Sequence, residues 1–305
     1  MKPAAPRWFG NALAQQPERS FIEVEGAAIE TLSWGPRGAP GLLLLHGSRA
    51  SADWWSFLAP LLMADFRVAA FSMSGMGGSA HRSGYAISQF AREAIEVAES
   101  TGLFQGSVKP MIIAHSFGGY AALRASCDLG ERLGGIVLVD SIIIDLEAPE
   151  RKWAISQPEP RRSYPSLEAA IARFRLMPSR ATEALWALDH VARSSVRHDS
   201  VTGDWTWRFD PALFSRIAEE DLGDLARKVL VPIAIVRGED SVLIDQAMRD
   251  YTAETFGGGI PDIVIPDAGH HIMIDQPLAL VAALRSLLAT WPPDSAGRRS
   301  ALGPV

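Results

Sequence analysis

The sequence M-I-I-A-H-S-F-G-G, residues 111–119, places a serine and two glycines directly after a short apolar run. The run at 111–114 is typical of a buried β-strand, and residues 120–129 have the character of a helix. The pattern therefore predicts a strand, a sharp turn and a helix, with Ser116 at the turn. A serine there points neither into the sheet nor into the helix, so its hydroxyl stands at the carboxyl end of the strand. The start of the helix presents backbone N–H groups and a positive dipole end to any negative charge that forms nearby.

This arrangement has the small-x-Ser-x-Gly pattern of a nucleophile elbow. Ala114 stands at the first small position, where the usual pattern has glycine. Its methyl group is expected to fit if the strand and the helix cross at a slightly wider spacing. The alternative interpretation is a structural strand–helix turn whose serine has no chemical role.

Composition limits the classes of protein that need to be considered. The 305 residues are 48% hydrophobic, enough for one large domain or for a core domain with an insertion. The net charge is −6 without a basic block, which argues against nucleic-acid binding. No apolar run approaches the roughly 18 residues of a membrane span, and residues 1–19 lack the apolar segment of a secretory signal. A single cysteine, Cys127, excludes an internal disulfide and a cysteine-based metal site, so we expect a cytoplasmic protein without metal or cofactor.

Strand patterns alternate with helix patterns over most of the chain. An antiparallel hairpin is expected at a sheet edge over residues 21–24 and 28–34. Further strands are predicted at 42–45, 67–71, 136–139, 232–236 and 263–265, with helices at 87–101, 246–256 and 278–290. This alternation predicts a mostly parallel sheet with helices on both faces.

The alternation stops between residues 145 and 225, a segment rich in Arg, Trp and Pro. Helical patterns occur at 166–176 and 181–191, and alternating aromatic and polar residues at 204–210 favour a short strand. We therefore expect a helical cap, 145–225, inserted into a core domain made of residues 21–144 and 226–291. Residues 1–20 are expected to form a loosely ordered arm and 292–305 a disordered tail.

Two turn regions follow predicted strands. Residues 54–63 are expected to form a short helix with Asp53 as its N-cap. Residues 72–79, S-M-S-G-M-G-G-S, form a glycine-rich loop of a kind that can cradle phosphate. Because the loop lacks both the dinucleotide spacing and a P-loop lysine, we interpret it as a tight turn on the same face as Ser116.

Polar or glycine residues follow the predicted strands in five loops. In parallel sheets, ligands bind beyond the carboxyl ends of the strands, so these loops are expected to converge on one site. The residues concerned are His46-Gly47-Ser48, 72–79, Ser116, Asp140 or Asp240, and His270.

Three of these segments, in this order, carry a resemblance to a known family: H-G-S at 46–48, A-H-S-F-G-G at 114–119 and A-G-H-H-I-M-I-D-Q-P at 268–277. Over roughly residues 21–291 the chain resembles a capped member of the α/β-hydrolase superfamily. The resemblance implies a mostly parallel eight-stranded sheet, helices on both faces and a helical cap. The superfamily includes esterases, lipases, amidases, C–C bond hydrolases and a few cofactor-free oxygenases, so the likeness implies the fold more narrowly than the substrate.

A serine hydroxyl is a poor nucleophile at neutral pH and needs an adjacent base. His270 is the candidate base, because it lies in a G-H-x4-D-x-P pattern like the histidine of the family. The alternative is a hydrogen-bonded structural histidine. The neighbouring His271 is expected to point the other way, and His46 is interpreted as a structural part of its turn.

The base in turn needs a carboxylate that fixes its tautomer and stabilises its cation. The usual family position, the end of a G-x-x-D pattern after the cap, reads G-E-D-S at 238–241, so Ser241 occupies the acid position and Asp240 lies one residue early. Asp140 ends an apolar strand just before the cap, where some family members carry their acid. Since a carboxylate there is costly to bury unless it is paired, Asp140 is favoured over Asp240, with Glu239 third. For each of these residues, a turn or helix-cap carboxylate is the alternative interpretation.

An oxyanion hole is expected from two backbone N–H groups, those of Phe117 and Ser48. An apolar pocket under the cap is expected to bind the substrate, with Trp54 and Met273 as the candidate contacts. Other aromatic residues could join that pocket or belong to the core: Trp55, Trp153, Phe174, Trp186, Trp205 and Trp207.

Together these features predict a serine hydrolase that cleaves a small apolar or aromatic carboxylic ester through an acyl-enzyme. The same residues could cleave an amide or a C–C bond. A small-molecule sensor with slow or no turnover and a cofactor-free oxygenase that uses a His–Asp pair are the alternatives from other classes. Haloalkane dehalogenases and epoxide hydrolases are disfavoured, because those relatives carry an aspartate where this chain has Ser116. The sequence is also compatible with a homodimer.

Overall fold

The structure is a computed structural model that describes residues 4–141, 160–218 and 220–291. The first half of the chain forms α1 (Arg7–Ala14), β1 (Glu18–Val24), β2 (Ala27–Trp34), β3 (Gly41–Leu45), β4 (Arg67–Phe71), α2 (Ile87–Ser100), β5 (Met111–His115), α3 (Gly118–Leu129) and β6 (Gly135–Val139). Short 3₁₀ turns join some of these elements, at Ala52–Trp55, Ala59–Leu61, Leu103–Gln105 and Gly130–Arg132.

The insertion and the end of the chain supply the other elements. The described part of the insertion contains β7 (Ser163–Tyr164), α4 (Leu167–Ile171), α5 (Leu185–Ser194), β8 (Val196–His198) and β9 (Trp205–Trp207). The core then resumes with α6 (Leu222–Arg227), β10 (Ile233–Gly238), α7 (Gln246–Thr255), β11 (Asp262–Ile265), α8 (Ile272–Asp275) and α9 (Pro277–Thr290).

Eight of the described strands form one sheet in the order β1-β2-β4-β3-β5-β6-β10-β11. The pairs β1–β2 and β2–β4 are antiparallel, and the strands from β4 to β11 are parallel. Every residue of β3, β4, β5 and β6 is buried, which explains their continuous apolar sequences, because both faces of these strands are covered. The predicted mostly parallel, eight-stranded sheet is thus confirmed.

Helices cover the sheet on both sides and form two apolar layers. One layer includes residues of α2, α3 and α6, and the other includes residues of α1, α5, α8 and α9. The parallel register aligns the strand ends, since Leu45 pairs with Ala114 and His115 pairs with Val139. The residues that follow β5 and β6 therefore emerge side by side at one edge of the sheet.

The N-terminal segment is more ordered than the sequence indicated. Residues 1–20 were expected to form a loose arm, but α1 and the start of β1 lie within this range. The centre of the Phe9 ring lies 4.5 Å from that of the Trp186 ring in the insertion. The Trp34 indole donates a hydrogen bond to the Gln15 carbonyl at 3.0 Å. These tertiary contacts hold the segment against the core and the insertion.

The insertion is not purely helical, and Asp53 is not a helix cap. Strands β7, β9 and β8 form a small antiparallel sheet, and the predicted helices at 166–176 and 181–191 are shorter or shifted. In place of the helix expected at 54–63 there are two 3₁₀ turns, and Ser51 rather than Asp53 stands at the N-cap position of the first. The Asp53 carboxylate pairs with Arg19 and Arg208. The predictions for the first part of the cap, 145–159, which includes Trp153, and for the tail, 292–305, lie outside the described residues.

Candidate active site

Ser116 stands on a tight turn between β5 and α3. Its φ of +52° lies in the left-handed region, which a residue with a side chain adopts only at some cost in free energy. The Ser116 N–H donates to the Val139 carbonyl at 3.0 Å, and its own carbonyl accepts from the Ser141 hydroxyl at 2.8 Å. The segment after β6 packs closely against the start of α3, since a β-carbon at Gly119 would overlap the Ser141 side chain. These contacts hold the half-buried Ser116 at the carboxyl end of β5.

His270 and Asp140 form a direct pair at the same edge of the sheet. The His270 Nδ1 lies 2.7 Å from Asp140 Oδ2, and both side chains are buried. The Ser241 hydroxyl donates to the same carboxylate oxygen at 2.6 Å, and the Gly238 N–H donates to Asp140 Oδ1 at 2.9 Å. Because an ionised carboxylate only accepts hydrogen bonds, the hydrogen of the neutral imidazole sits on Nδ1, and Nε2 keeps its lone pair.

The alternative acid, Asp240, is placed differently. Its carboxylate is half exposed and pairs with Arg180 of the insertion at 2.8 Å. Glu239, the third candidate, is exposed, and its carboxylate accepts from the Asp267 N–H at 3.4 Å. Of the three carboxylates, Asp140 is the one that the structure brings to the His270 ring.

The two backbone N–H groups expected to bind an oxyanion belong to segments that lie beside Ser116. Phe117 is the residue immediately before α3, with helical backbone angles. Ser48 is exposed on the turn after β3. That turn packs on the serine, because a β-carbon at Gly47 would lie 3.2 Å from Ser116 Cβ and 2.8 Å from the His115 ring. A glycine is thus needed for the two segments to approach this closely.

His46 has a structural role in this turn. Burial lowers the pKa of His46 to about 4, so the ring is neutral at pH 7. Its Nδ1 lies 2.7 Å from the Gly47 carbonyl, and its Nε2 accepts the Met73 N–H at 3.1 Å. The ring therefore joins the turn after β3 to the loop after β4.

The glycine-rich loop at 72–79 surrounds a carboxylate of the chain itself. The Glu30 Oε2 accepts from the Ser72 hydroxyl and from the Gly78 N–H, both at 2.8 Å. Burial alone would raise the pKa of Glu30, but Arg208 and the Gly78 N–H outweigh it and hold this pKa below its ordinary value. An internal anion thus occupies donors that a phosphate would need, in agreement with the interpretation of this loop as a structural turn.

His115 contacts the base, His270, and this role was not predicted from the sequence. It is buried, and its Nε2 lies 2.9 Å from the His270 carbonyl, with the two ring centres 4.7 Å apart. Burial, together with the charges of His270 and His271, lowers the pKa of His115 well below its ordinary value. A neutral ring that donates from Nε2 fixes the backbone of the base to the strand that carries Ser116. The available signal was its position, a histidine that ends an otherwise apolar strand.

The two expected substrate contacts differ in their surroundings. Trp54 is buried, and its ring centre lies 5.8 Å from that of His271 and 6.3 Å from that of Phe174 in the insertion. Met273 is only 1% exposed and belongs to the apolar layer under the sheet. Met273 is therefore a core residue in this structure. Trp54 belongs to the same apolar layer but also contacts the insertion through Phe174.

Two kinds of feature, a metal-binding cluster and a membrane-spanning helix, are absent from the described residues. The described part of the chain contains no group of three or more His, Cys, Asp or Glu side chains that could hold a metal ion. Within the same residues, no helix combines the length and the apolar character that a membrane crossing needs.

An eight-stranded, mostly parallel sheet with a strand–serine–helix turn at its carboxyl edge is the architecture of an α/β-hydrolase. The chain belongs to the alpha/beta hydrolase family, whose sequence profile matches residues 42–284. An esterase of Mycobacterium tuberculosis is 27% identical to it over 285 residues, which are 88% of this chain and 88% of that protein. The 2-hydroxy-6-oxo-6-(2'-aminophenyl)hexa-2,4-dienoic acid hydrolase of Metapseudomonas resinovorans is 27% identical over 91% of this chain and 94% of its own length.

A solved structure supports the same fold. The thioesterase domain from the curacin biosynthetic pathway superimposes with a TM-score of 0.72 at 22% sequence identity, over 90% of this chain and 99% of that domain. Family membership and the named relatives together identify the chain as an enzyme of the hydrolase type.

Proposed function

We propose that the protein is a serine hydrolase that cleaves a small-molecule carboxylic ester, with Ser116 as nucleophile, His270 as base and Asp140 as acid. The observation that carries the proposal is the 2.7 Å contact from His270 Nδ1 to a buried carboxylate that two further donors hold in place. This contact orients the free Nε2 of the ring, which can then accept the proton of a serine hydroxyl. Similarity to an esterase over 88% of the chain adds support for an ester as substrate.

In the first half of the reaction, the Ser116 Oγ attacks the ester carbonyl carbon while Nε2 of His270 takes the hydroxyl proton. The carbonyl π electrons move onto oxygen, and the N–H groups of Phe117 and Ser48 stabilise this oxyanion. When the carbonyl re-forms, the bond to the alcohol oxygen breaks. The alcohol takes the proton from the imidazolium and leaves, so Ser116 carries the acyl group.

In the second half, His270 takes a proton from water as the water oxygen attacks the acyl carbon. Collapse of the second intermediate breaks the bond to Ser116 Oγ, which recovers its proton from the imidazolium. The carboxylic acid is released, and the enzyme returns to its starting state. In both halves the Asp140 carboxylate stabilises the imidazolium, whose charge would otherwise be buried without a counter-ion.

One other bond type has a specific observation in its favour. The Metapseudomonas resinovorans relative is named for hydrolysis of a dienoic acid rather than of an ester, so the same three residues could act on a bond other than an ester. A sensor without turnover was an alternative in case the acid lay out of reach of the base. The contact between His270 and Asp140 removes that reason.

The test is Ser116→Ala, assayed on p-nitrophenyl butyrate and with a fluorophosphonate probe that labels an activated serine. We expect kcat/KM to fall by about 10⁴-fold or more and labelling to disappear, because no nucleophile remains. The exposed Ser286 of α9 provides the matched control, and Ser286→Ala should keep both the activity and the labelling. Undiminished turnover by Ser116→Ala would refute the proposed mechanism.

A further inference from the structure

The rings of His115, His270 and His271 lie close to one another, and they differ in their hydrogen bonds. Nδ1 of His270 binds Asp140, and Nε2 of His115 lies at the His270 carbonyl. The third ring, His271, is 93% buried, yet no donor or acceptor of the described residues forms a hydrogen bond with it. Its nitrogens are also not among the polar atoms that are sealed without a partner in that part of the chain, so part of their surface remains accessible.

The neighbours of His271 show which parts of the molecule it contacts. Its ring centre lies 4.9 Å from that of His270 and 5.8 Å from that of Trp54. Trp54 in turn faces Phe174 of the insertion, and its own N–H donates to the Ser195 hydroxyl at 3.4 Å. His271 thus lies where the base, the core and the insertion meet, and it keeps its hydrogen-bonding capacity there.

We propose that His271 contacts the bound substrate and favours esters that carry a hydrogen-bonding group close to the scissile carbonyl. This inference rests on the proposed function, because it takes His270 as the base beside which the substrate lies. A buried polar group without a partner costs free energy, and a substrate that supplies the partner recovers it. One imidazole nitrogen donates and the other accepts, so a hydroxyl or an amide can satisfy either of them.

The electrostatics of the ring narrow the class of substrate. Burial, with a smaller effect of the charge on His270, lowers the pKa of His271 to about 3. At neutral pH the ring therefore carries no charge with which to attract a carboxylate or a phosphate. The aromatic ring of Trp54 lies beside His271, and that of Phe174 lies beside Trp54, so the neighbouring surface suits an apolar or aromatic body. The expected substrate is an apolar or aromatic ester with an uncharged hydroxyl or amide substituent.

The experiment compares matched ester pairs in which a hydroxyl replaces a methyl group. On the acyl side, p-nitrophenyl 3-hydroxybutanoate is compared with p-nitrophenyl 3-methylbutanoate. The corresponding 2-hydroxypropanoate and 2-methylpropanoate pair brings the hydroxyl closer to the carbonyl. On the alcohol side, 2-hydroxyethyl benzoate is compared with propyl benzoate. The quantity measured is the ratio of kcat/KM within each pair, for the wild type, His271→Phe and His271→Gln.

We expect His271→Phe to lower the hydroxyl-to-methyl ratio by about five- to tenfold in at least one pair, the effect of one neutral hydrogen bond. His271→Gln keeps a donor and an acceptor, so it should restore much of that ratio. Labelling of Ser116 by a fluorophosphonate is measured in both variants to show that the base and the acid still activate the serine.

The outcomes separate the two proposals. If the wild type labels and turns over but all three ratios are the same in His271→Phe, the substrate contact is refuted and the proposed function stands. If the wild type neither labels nor hydrolyses any of these esters, the proposed function fails first. If His271→Phe does not fold, an unchanged set of ratios in a folded His271→Leu variant overturns the inference in the same way.

Discussion

At the scale of single residues, the Asp140 carboxylate is held by three hydrogen bonds. It accepts from the His270 ring, the Gly238 N–H and the Ser241 hydroxyl. Three donors around one buried carboxylate leave it little freedom of rotation. The carboxylate is therefore held ready for an imidazolium before any substrate binds.

Replacement of Asp140 by asparagine tests this arrangement. The new side chain would present an amide of the same shape, whose N–H₂ group can face Nδ1 and so favour the wrong tautomer of His270. We expect Asp140→Asn to lower kcat by about 10⁴-fold, the loss seen when a serine protease undergoes the corresponding change.

The matched control is Asp240→Asn, which removes the other candidate carboxylate. Asp240 is half exposed and pairs with Arg180, so this change should leave kcat within about twofold. Steady-state kinetics of both variants on one ester decide between the two residues. A large loss in Asp240→Asn with a small one in Asp140→Asn would reverse the assignment of the acid.

Sequence patterns identify the motif residues of this site but not their partners. Ser116 and His270 lie in motifs that are complete within about ten residues, so local sequence suffices to select them. Asp140 and His270 are 130 positions apart, and their contact depends on the order of β6, β10 and β11 in the sheet. The same limitation concealed Ser241, which occupies the usual acid position and donates to the acid that comes from the neighbouring strand.

At the scale of elements, an ionic ring joins the insertion to the core. Arg19 of β1 and Arg208, just after β9, each pair with both Glu30 of β2 and Asp53 of the first 3₁₀ turn. Arg208 also donates to the Ser194 carbonyl at the end of α5. Four separate segments thus meet around two acidic and two basic side chains, and Glu30 is only 2% exposed.

Removal of one member of this ring should destabilise the protein. Arg208→Ala leaves the buried Glu30 with one arginine instead of two and breaks the link to the insertion. We expect the free energy of unfolding to fall by about 3 kcal/mol, the lower end of the range for a broken buried ion pair, because Arg19 remains. Urea unfolding, followed by tryptophan fluorescence, measures this change.

An exposed pair provides the comparison for that variant. Arg92 of α2 pairs with Glu25 at 2.6 Å, but both side chains are 45% exposed. Arg92→Ala should therefore change the free energy of unfolding by less than about 1 kcal/mol. Equal losses in the two variants would mean that the ring contributes no more than a surface ion pair.

Elements with an apolar pattern in their own sequence were predicted well, and those that depend on distant partners were not. The inner strands β3, β5 and β6 appear in the sequence as mainly apolar runs, because each is covered on both faces. Strands β7 and β8 have only two or three residues, too few for a periodic pattern. Helix α1 did have a signal, since Trp8, Phe9, Ala12 and Leu13 share one helical face, but its stability comes from packing on Trp186.

At the scale of the whole molecule, the fold buries several histidines in their neutral form. Burial lowers the pKa of His46 to about 4 and that of His271 to about 3, and it also lowers the pKa of His115 and of His190. In the unfolded chain, each of these imidazoles has a pKa near 6.5. The unfolded state therefore binds more protons than the folded state once the pH falls below this value.

This difference in proton binding sets the direction of the pH dependence. Stability rises with pH wherever the unfolded state holds more protons, so the contribution of these histidines is complete above about pH 6.5 and is lost as the pH falls toward the folded pKa values. Each fully depressed histidine contributes up to about 1.4 kcal/mol per pH unit in this window. Two buried carboxyl groups act in the opposite direction, because burial raises the pKa of Glu93 and of Asp275.

Since the pKa values of His46 and His271 in the folded state lie below 5.5, we expect these two rings to make the free energy of unfolding about 3 kcal/mol lower at pH 5.5 than at pH 7.5. Urea unfolding in buffers across this range measures the slope. His190→Gln provides a test at a single site, because glutamine can keep the hydrogen bond to the Ser56 hydroxyl but does not titrate. The slope of the free energy of unfolding against pH should then decrease by up to about 1.4 kcal/mol per pH unit, which corresponds to one bound proton. A slope that is flat in the wild type, or unchanged in His190→Gln, would show that these rings do not remain neutral through burial.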